Sequence, residues 1–124
     1  MDKAQAIQNF WSRFGWQAFS ENSVPTGDNA PGLPYITYSV SVDSIGYPVS
    51  LSGVLWDRNT SWQRLTKKAD EIADYLDEIY PIKINKGYMY LTPGSPFAQR
   101  MSGESDDMVK SILINIQAEF LTKN

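Results

Sequence analysis

The clearest hydrophobic periodicity in the chain lies between Trp56 and Pro81. Apolar residues recur there at alternating spacings of three and four, which places them on one stripe of an amphipathic helix. The stripe consists of Trp62, Leu65, Ala69, Ile72, Leu76 and Ile79. Thr60 and Gln63 have the spacing of a capping box, and Pro81 lacks the backbone donor that continuation of a helix requires. The pattern therefore predicts a helix with marked ends.

The polar side of this helix is divided by charge. At about 100° per residue, Asp70, Asp74 and Asp77 fall roughly opposite the apolar stripe. The first half carries the basic residues Arg64, Lys67 and Lys68. This order is the reverse of what the helix dipole favours. The acidic face has two interpretations, a solvated surface or a docking face for a basic partner, and the pattern alone leaves both open.

A first helix is predicted from Asp2 to Phe19, with Asp2 as its N-cap. Its wide apolar side is strongly aromatic and includes Ala6, Ile7, Phe10, Trp11, Phe14 and Phe19. We expect this side to pack in the core, and part of the aromatic surface can face another subunit.

Strict alternation of apolar and polar residues predicts strands in two parts of the chain. Tyr35–Asp43 and the segment from Val49 to Trp56 form an antiparallel hairpin around a turn at Ser44–Pro48. A shorter hairpin follows the central helix, with Ile82–Ile84 and Tyr88–Leu91 on either side of a turn in which Gly87 supplies a positive φ. A last long strand carries Ile112, Ile114, Ile116, Ala118 and Phe120 on one side.

The remaining segments are rich in turn-forming residues. Ser20–Pro34 and Thr92–Asp107 are predicted to be irregular loops, because each contains Pro, Gly and Ser at high density. The second loop carries a short apolar island at Phe97 and Met101. Loops of this length are often functional.

Hairpins dominate the element order, and helices and strands do not alternate strictly, so we predict an α+β fold. The expected architecture is one domain over residues 1–124, an antiparallel sheet of about five strands with both helices packed on its apolar face. Pleating then places a second set of side chains on the opposite face: Thr37, Ser39, Ser41, Ser50, Ser52, Asn115, Gln117 and Glu119. This face is expected to be polar and nearly uncharged.

Composition removes most catalytic chemistries. The chain of 124 residues has no Cys and no His, so disulfides, thiolate nucleophiles, imidazole bases and the usual zinc sites are excluded. No glycine-rich phosphate loop precedes a helix, and Glu104, Asp106 and Asp107 lack the spacing of a calcium loop. We therefore expect no enzyme activity, no cofactor and no metal site.

Charge and hydropathy narrow the expected partners. The net charge is -3 and the pI is near 4.8, which disfavours a protein that binds nucleic acid by neutralising phosphates. No apolar stretch is long enough to span a membrane, and the first residues lack the pattern of a secretion signal. We expect a soluble protein without sequence-specific nucleic-acid or membrane partners.

Several short motifs, taken together in order, carry a resemblance to a known family. They are PYITYSV after a VP-containing loop, RNTSW after Trp56, the KADEIADYL helix, and GSPFAQRM before an Ile-rich last strand. From about Val24 to Leu121, the chain resembles the tail terminator proteins of long-tailed bacteriophages, often described as minor tail or minor capsid proteins.

The resemblance implies a small structural subunit that assembles as a homohexameric ring on the last ring of the tail tube. Such a ring stops tail growth and presents the surface that the head-completion or connector protein joins. Its partners would be further copies of itself, the major tail tube protein and the connector, with DNA only passing through the lumen. It would sit at the head-proximal end of the virion tail after assembly in the host cytoplasm. Related rings occur on contractile tails and on headless, tail-like bacteriocins.

Three surfaces follow as candidate sites. Phe97, Gln99, Arg100 and Met101 are the candidate contact with a neighbouring subunit or the tail tube, because aromatic, Met and Arg side chains are enriched at interfaces. Asp70, Asp74 and Asp77 are the candidate docking face. The polar sheet face, without Glu119, is the candidate lumen wall, and the alternative is an ordinary solvent-exposed face of the sheet. The alternatives are a monomeric ligand- or protein-binding module and a carboxylate-only enzyme.

Overall fold

The computed structural model describes residues 1–21, 23–39, 49–78, 81–101 and 106–122. Within these residues the chain forms two α-helices, a short 3₁₀ helix at Gly27–Asn29 and six strands. The helices are α1 (Lys3–Ser12) and α2 (Gln63–Glu78). The strands are β1 (Gln17–Ser20), β2 (Tyr35–Tyr38), β3 (Val49–Arg58), β4 (Ile82–Ile84), β5 (Gly87–Met101) and β6 (Val109–Thr122).

The strands form one sheet in the order β1-β2-β3-β6-β5-β4. β1 and β2 are parallel, and all other neighbours are antiparallel. At the centre, the whole of β3 pairs with β6, from Val49 opposite Ala118 to Arg58 opposite Val109. The predicted α+β class is thus confirmed, and the predicted hairpins pair as expected; the sheet is mostly antiparallel and has six strands, close to the predicted five, because β1 adds a parallel edge strand. The predicted turn at Ser44–Pro48 lies outside the described residues, as do Ser41 and Ile79.

Both helices pack on the same face of the sheet, as predicted. Trp11 of α1 is fully buried and lies directly over Gly53 at the centre of β3. Tyr75 of α2 meets the rings of Phe10 and Phe14, with ring centroids 5.8 and 5.7 Å apart. The predicted apolar stripe of α2 is buried at Leu65, Ala69, Ile72 and Leu76. The strands contribute Ile36, Tyr38, Leu51, Leu55, Met89, Leu91, Ile112, Ile114, Ile116, Ala118 and Phe120 to this core.

The first helix is shorter than predicted. The capping box at Asp2 and Gln5 is present and confirms the N-cap, but α1 ends at Ser12, and Phe19 belongs to β1. Gly15 has a φ of 86°, a left-handed conformation that only glycine adopts without strain. It turns the chain back so that Gln17–Ser20 can pair with β2. The aromatic run hides this break, because Phe14 is buried like the helical residues before it.

The prediction of a loop beginning at Thr92 was wrong. β5 continues to Met101, because β6 offers a ladder of 14 residues along which β5 can pair. The pairing is interrupted only by a bulge between Pro93 and Ala98. A bulge removes extra residues from the ladder, so turn-forming residues fit inside a strand here.

Two local turn assignments also differ from the prediction. In the hairpin between β4 and β5, Lys86 and not Gly87 has the positive φ, at 66°. At the start of α2, the hydroxyl of Ser61 accepts a hydrogen bond from the backbone N–H of Gln63 at 3.0 Å, so Thr60 is not the cap. The predicted tight turn and the predicted helix cap are thus both present. In each case the residue next to the predicted one has the positive φ or provides the capping side chain.

Candidate functional site

The second face of the sheet is turned away from both described helices. We call it the open face. At its centre, small uncharged polar side chains lie on four adjacent strands. This polar band consists of Thr37, Ser39, Ser50, Ser52, Thr92, Asn115 and Gln117. All predicted lumen residues except Ser41, which lies outside the described residues, are therefore brought together on one surface.

The register of the strands sets the geometry of the polar band. Ser52 is opposite Asn115, and Ser50 is opposite Gln117, which in turn faces Thr92. The hydroxyls of Ser39 and Ser52 are 3.0 Å apart, and the backbone N–H of Ser39 donates to the carbonyl of Ser52 at 2.9 Å. Ser50, Thr92 and Gln117 are exposed and available to a partner.

Asn115 has a structural role within this band. Its side-chain amide donates to the carbonyl of Pro96 at 3.0 Å, across the bulge of β5. An added Cβ at Gly94 would lie 2.9 Å from the Cβ of Asn115, so the bulged strand can approach only because residue 94 is glycine. Asn115 therefore holds the bulge in place, a role that the alternation pattern does not reveal.

The open face is less uniformly polar than predicted. Apolar side chains flank the band at both ends, and the alternation analysis missed them because it followed only the serines of β3. One flank contains Tyr35, Val54, Trp56, Met101 and Leu113, and the other contains Tyr88, Tyr90 and Leu121. The exposed fractions of Met101, Tyr88, Tyr90 and Leu121 are 41%, 47%, 40% and 45%. Exposed apolar side chains that adjoin one another are typical of interaction surfaces.

Charges on the open face lie near its ends. At one end, Arg58 and Asp106 form an ion pair of 2.7 Å. The pKa of Asp106 is lowered from its ordinary value, first by the hydrogen bond from the backbone N–H of Met108 and then by Arg58. At the other end are Lys83, opposite Tyr88, and Glu119, opposite Tyr90. The middle of the face is thus uncharged between two charged margins.

The four predicted interface residues in β5 do not form one cluster. Arg100 is exposed on the helix side, with its guanidinium carbon 4.7 Å from the centre of the Trp62 ring. By strand alternation, Gln99 and Met101 point to the open face. Phe97 is half-buried and packs against the hydrophobic core. The idea of a single anchor built from Phe97, Arg100 and Met101 therefore does not fit the geometry, although Gln99, Arg100 and Met101 remain accessible.

β5 also forms an edge of the sheet. β4 pairs only with Gly87–Met89, so the outer edge of residues 90–101 has no partner strand among the described residues. Pro93, Pro96 and the bulge interrupt this edge, which is a common protection of free edges against uncontrolled pairing. An ordered partner can therefore reach only the ends of this segment by strand pairing.

The acidic face of α2 is exposed as predicted. Asp70, Asp74 and Asp77 are solvent-exposed and form no ion pair within the part of the chain that the structure describes. Asp70 and Arg100 line the same cleft of about 210 Å³ between α2 and β5. The acidic face and the accessible part of β5 are therefore adjacent surfaces.

The first half of α2 borders a groove of about 510 Å³ that sequence reasoning did not find. We call it the cationic groove; its walls include Trp16, Arg64, Lys67, Lys68 and Glu71. Lys68 is mostly buried and donates to the carbonyl of Phe14 at 2.6 Å and to Glu71 at 3.0 Å. Lys67 is exposed and has no ion pair among the described residues. Glu71 forms its ion pair with Lys68 and not with Lys67, which is also at helical spacing from it.

A buried carboxylate anchors this groove from below. Asp57 is fully buried and accepts hydrogen bonds from the Arg64 guanidinium and from the backbone N–H of Arg58. The bond to Asp57 raises the pKa of Arg64 above its ordinary value. The pair ties the end of β3 to the first turn of α2, and the outer side of Arg64 remains half-exposed. The sequence gives only a weak indication of this ion pair, because it shows no more than a single Asp at a core-facing position of a strand.

The described residues show no metal cluster and no membrane-spanning helix. They contain no group of three or more acidic side chains placed to hold a metal ion. No described helix is long and apolar enough to cross a membrane. Comparison with models of protein families gives no match, and comparison with curated proteins gives none either.

Proposed function

We propose that this chain is a structural subunit that assembles into a homohexameric ring, caps the tail tube of a long-tailed phage or a phage-tail-like particle, and provides the surface that the head joins. The resemblance of its motifs to tail terminator proteins is the starting point. A fold with an uncovered sheet face and exposed apolar flanks supports an assembling subunit, because a subunit that remained alone would leave these flanks in water.

The observation that carries the proposal is the uncharged polar band at the centre of the open face. DNA has about one negative charge per 1.7 Å of its axis, so a wall with lysine or arginine would retain it. Hydroxyl and amide side chains interact with the moving backbone no more strongly than water does. The polar band therefore suits the lumen wall of the ring, with both helices on the outer side.

The surfaces beside the band account for the other contacts of a terminator. The apolar flanks lie on both sides of the band and would be buried between neighbouring copies or against the tube. Gln99, Arg100 and Met101 at the β5 edge provide a further contact with a neighbouring copy or with the tail tube protein. One closed ring needs the same pair of surfaces on every copy, which is the usual arrangement of cyclic oligomers.

The first experiment mixes the purified chain with polymerising tail tube protein from the same particle. If the proposal is correct, tubes stop growing in proportion to the added chain, and electron microscopy shows one ring at one tube end. Tubes of unchanged length and bare ends at saturating chain concentration would overturn the proposal.

A second experiment tests the lumen wall. Ser50→Lys together with Thr92→Lys adds two cations beside Gln117, at exposed positions whose side chains make no hydrogen bond within the described residues. Particles with this variant should eject DNA several-fold more slowly at low salt, and the delay should shrink at high salt because the added charges are screened. Ser50→Gln with Thr92→Gln is the control, since it adds length without charge. Equal delays for both variants, or Ser39, Ser50 and Gln117 on the outer wall of a ring, would refute the lumen assignment.

A binding module is the second candidate, and one feature favours it. Tyr90, Thr92, Gln117 and Glu119 line a cleft of about 180 Å³ on the open face, with an aromatic ring beside hydrogen-bonding groups. Size-exclusion chromatography with light scattering, with and without tail tubes, separates the two functions. A chain that stays monomeric at high concentration and does not bind tubes is a binding module and not a terminator.

A further inference from the structure

The first turns of α2 and the turns that follow carry opposite charge on adjoining surfaces. The cationic groove borders the first half and is formed together with Trp16 from the segment before β1. The acidic face follows on the second half and points to solvent. Within one copy, Lys67 and Asp70 adjoin at three residues' spacing but form no ion pair among the described residues, and the other charges of the two surfaces are separated along and around the helix.

The cationic groove has charge to offer a partner. Arg64 is held by Asp57, but its side chain remains 48% exposed toward the groove. Lys67 is exposed at the rim and has no ion pair among the described residues. Lys68 is bound within the chain as well, to the carbonyl of Phe14 and to Glu71, so Lys67 is the groove's cation without an ion pair among the described residues. The groove is thus a concave surface with an excess of positive charge.

The acidic face is energetically unfavourable in an isolated copy. Asp70 and Asp74 are four residues apart and Asp74 and Asp77 are three apart, spacings at which like charges on a helix repel each other. Asp77 also lies in the last turn of α2, where the dipole disfavours negative charge. Contact with a cationic surface would relieve both effects.

We propose that the cationic groove of one copy receives the acidic face of α2 from the next copy. The contact joins two different surfaces, so each copy uses both, and repetition gives a ring when the rotation closes. The inference deepens the proposed function, on which it rests, by naming the contact that joins neighbouring helices on the outer side of the ring. Trp16 lies at the groove and provides an apolar surface beside the ion pairs.

A test on the unmodified chain uses a carbodiimide, which joins a lysine to a carboxylate only when the two touch. Equal amounts of ¹⁴N- and ¹⁵N-labelled chain are mixed, unfolded, refolded together and cross-linked, alone and on tail tubes. We expect mixed-isotope products between a peptide containing Lys67 and a peptide containing Asp70, Asp74 or Asp77. Products of a single isotope arise either within one copy or between two copies with the same label, so they do not count.

Charge reversal supplies the second readout. Lys67→Glu or Asp74→Lys alone should weaken self-association about tenfold, because each opposes like charges across the contact. The variant with both changes has complementary charges again and should recover most of the affinity. Asp28→Lys, which changes an exposed charge outside both surfaces and outside the apolar flanks, is the control and should leave association unchanged. Circular dichroism verifies that each variant keeps its helices.

The outcomes separate this inference from the proposed function. Mixed-isotope products and recovery in the double variant support the contact even if tubes are not capped. Capped tubes without mixed-isotope products, or without recovery, overturn the contact and leave the terminator proposal standing. Cross-links from the acidic face to lysines of the tube protein overturn it as well, because the occupant is then the tube.

Discussion

The contact between Trp11 and Gly53 holds α1 at the centre of the sheet, and it makes a sharp prediction about stability. A Cβ added to Gly53 would lie 2.5, 2.7 and 2.8 Å from Cη2, Cζ2 and Cζ3 of Trp11. Carbon atoms in contact are normally about 3.5–4.0 Å apart, so the indole would have to move by about 1 Å. Trp11 is fully buried, and the centroid of its ring lies 4.9 Å from that of Phe10 and 6.4 Å from that of Tyr38. The indole therefore has little room to move.

The expected magnitude of Gly53→Ala is the difference between two effects. Overpacking a core typically costs about 1–3 kcal/mol. Replacing glycine by alanine also restricts the unfolded chain, which stabilises the fold by about 0.4–1 kcal/mol. We therefore expect Gly53→Ala to lower the free energy of unfolding by about 1–2 kcal/mol, equivalent to a fall in Tm of about 5 °C.

Urea denaturation followed by tryptophan fluorescence and far-UV circular dichroism measures this change. The control is Gly32→Ala, where an added Cβ meets nothing within 4 Å and φ is not positive. This control should be neutral or slightly stabilising, because only the unfolded-state effect remains. The slope of the transition should stay the same in both variants, since neither changes the surface exposed on unfolding.

A double-mutant cycle with Trp11→Phe identifies the contact as the cause. The indole N–H of Trp11 has no hydrogen-bond partner among the described residues, so the phenyl ring loses packing but none of the hydrogen bonds seen there. Trp11→Phe alone should cost about 1–3 kcal/mol through the space it leaves. In that background Gly53→Ala should cost much less, because its methyl group enters the vacated space. If Gly53→Ala costs nothing in the original chain, or the same in both backgrounds, the close contact is not what requires glycine.

The remaining predictions concern single polar side chains. Asn115→Ala should lower the free energy of unfolding by about 1 kcal/mol and speed amide exchange in the β5 bulge, because the hydrogen bond to the carbonyl of Pro96 is lost. The control is Gln117→Ala, on the same face, whose side chain makes no hydrogen bond within the described residues. Equal effects of the two substitutions would contradict the special role of Asn115. The lowered pKa of Asp106 means that its contribution to stability is complete above the ordinary carboxyl pKa and is lost as the pH falls through the lower folded value. Asp106→Asn should therefore be less stable near neutral pH, and the gap should close in acid; a gap that is constant across denaturation curves from pH 7 to pH 2 would rule this out.

The sequence by itself was sufficient for the class of fold and for most of the core. Period-two alternation identified β2, β3 and β6, and the three-four spacing identified the buried stripe of α2. These patterns are reliable because burial of one face is decided by the side chains along the element itself. They also placed the serines, Asn115 and Gln117 on one face, since a strand with one buried face has no choice of register.

The ends of α1 and β5 could be located only from the tertiary structure, because pairing with a neighbouring strand determines where these elements end. The end of β5 contains two prolines and a glycine and has the composition of a loop, yet β6 provides a ladder and Asn115 holds the bulge. The residues after Gly15 continue the aromatic character of α1 but pair with β2 instead. In both cases the partner is far away in sequence and leaves no local signal.

Some candidate sites can likewise be predicted from the sequence alone, and others can be found only in the tertiary structure. Exposure of Asp70, Asp74 and Asp77 follows from their angle on α2, which the sequence determines alone. The cationic groove, the buried pair of Asp57 and Arg64, and the stacking of Arg100 on Trp62 each join residues from separate elements. Their chemistry depends on distances between side chains, and only the packing of α2 against the sheet fixes those distances.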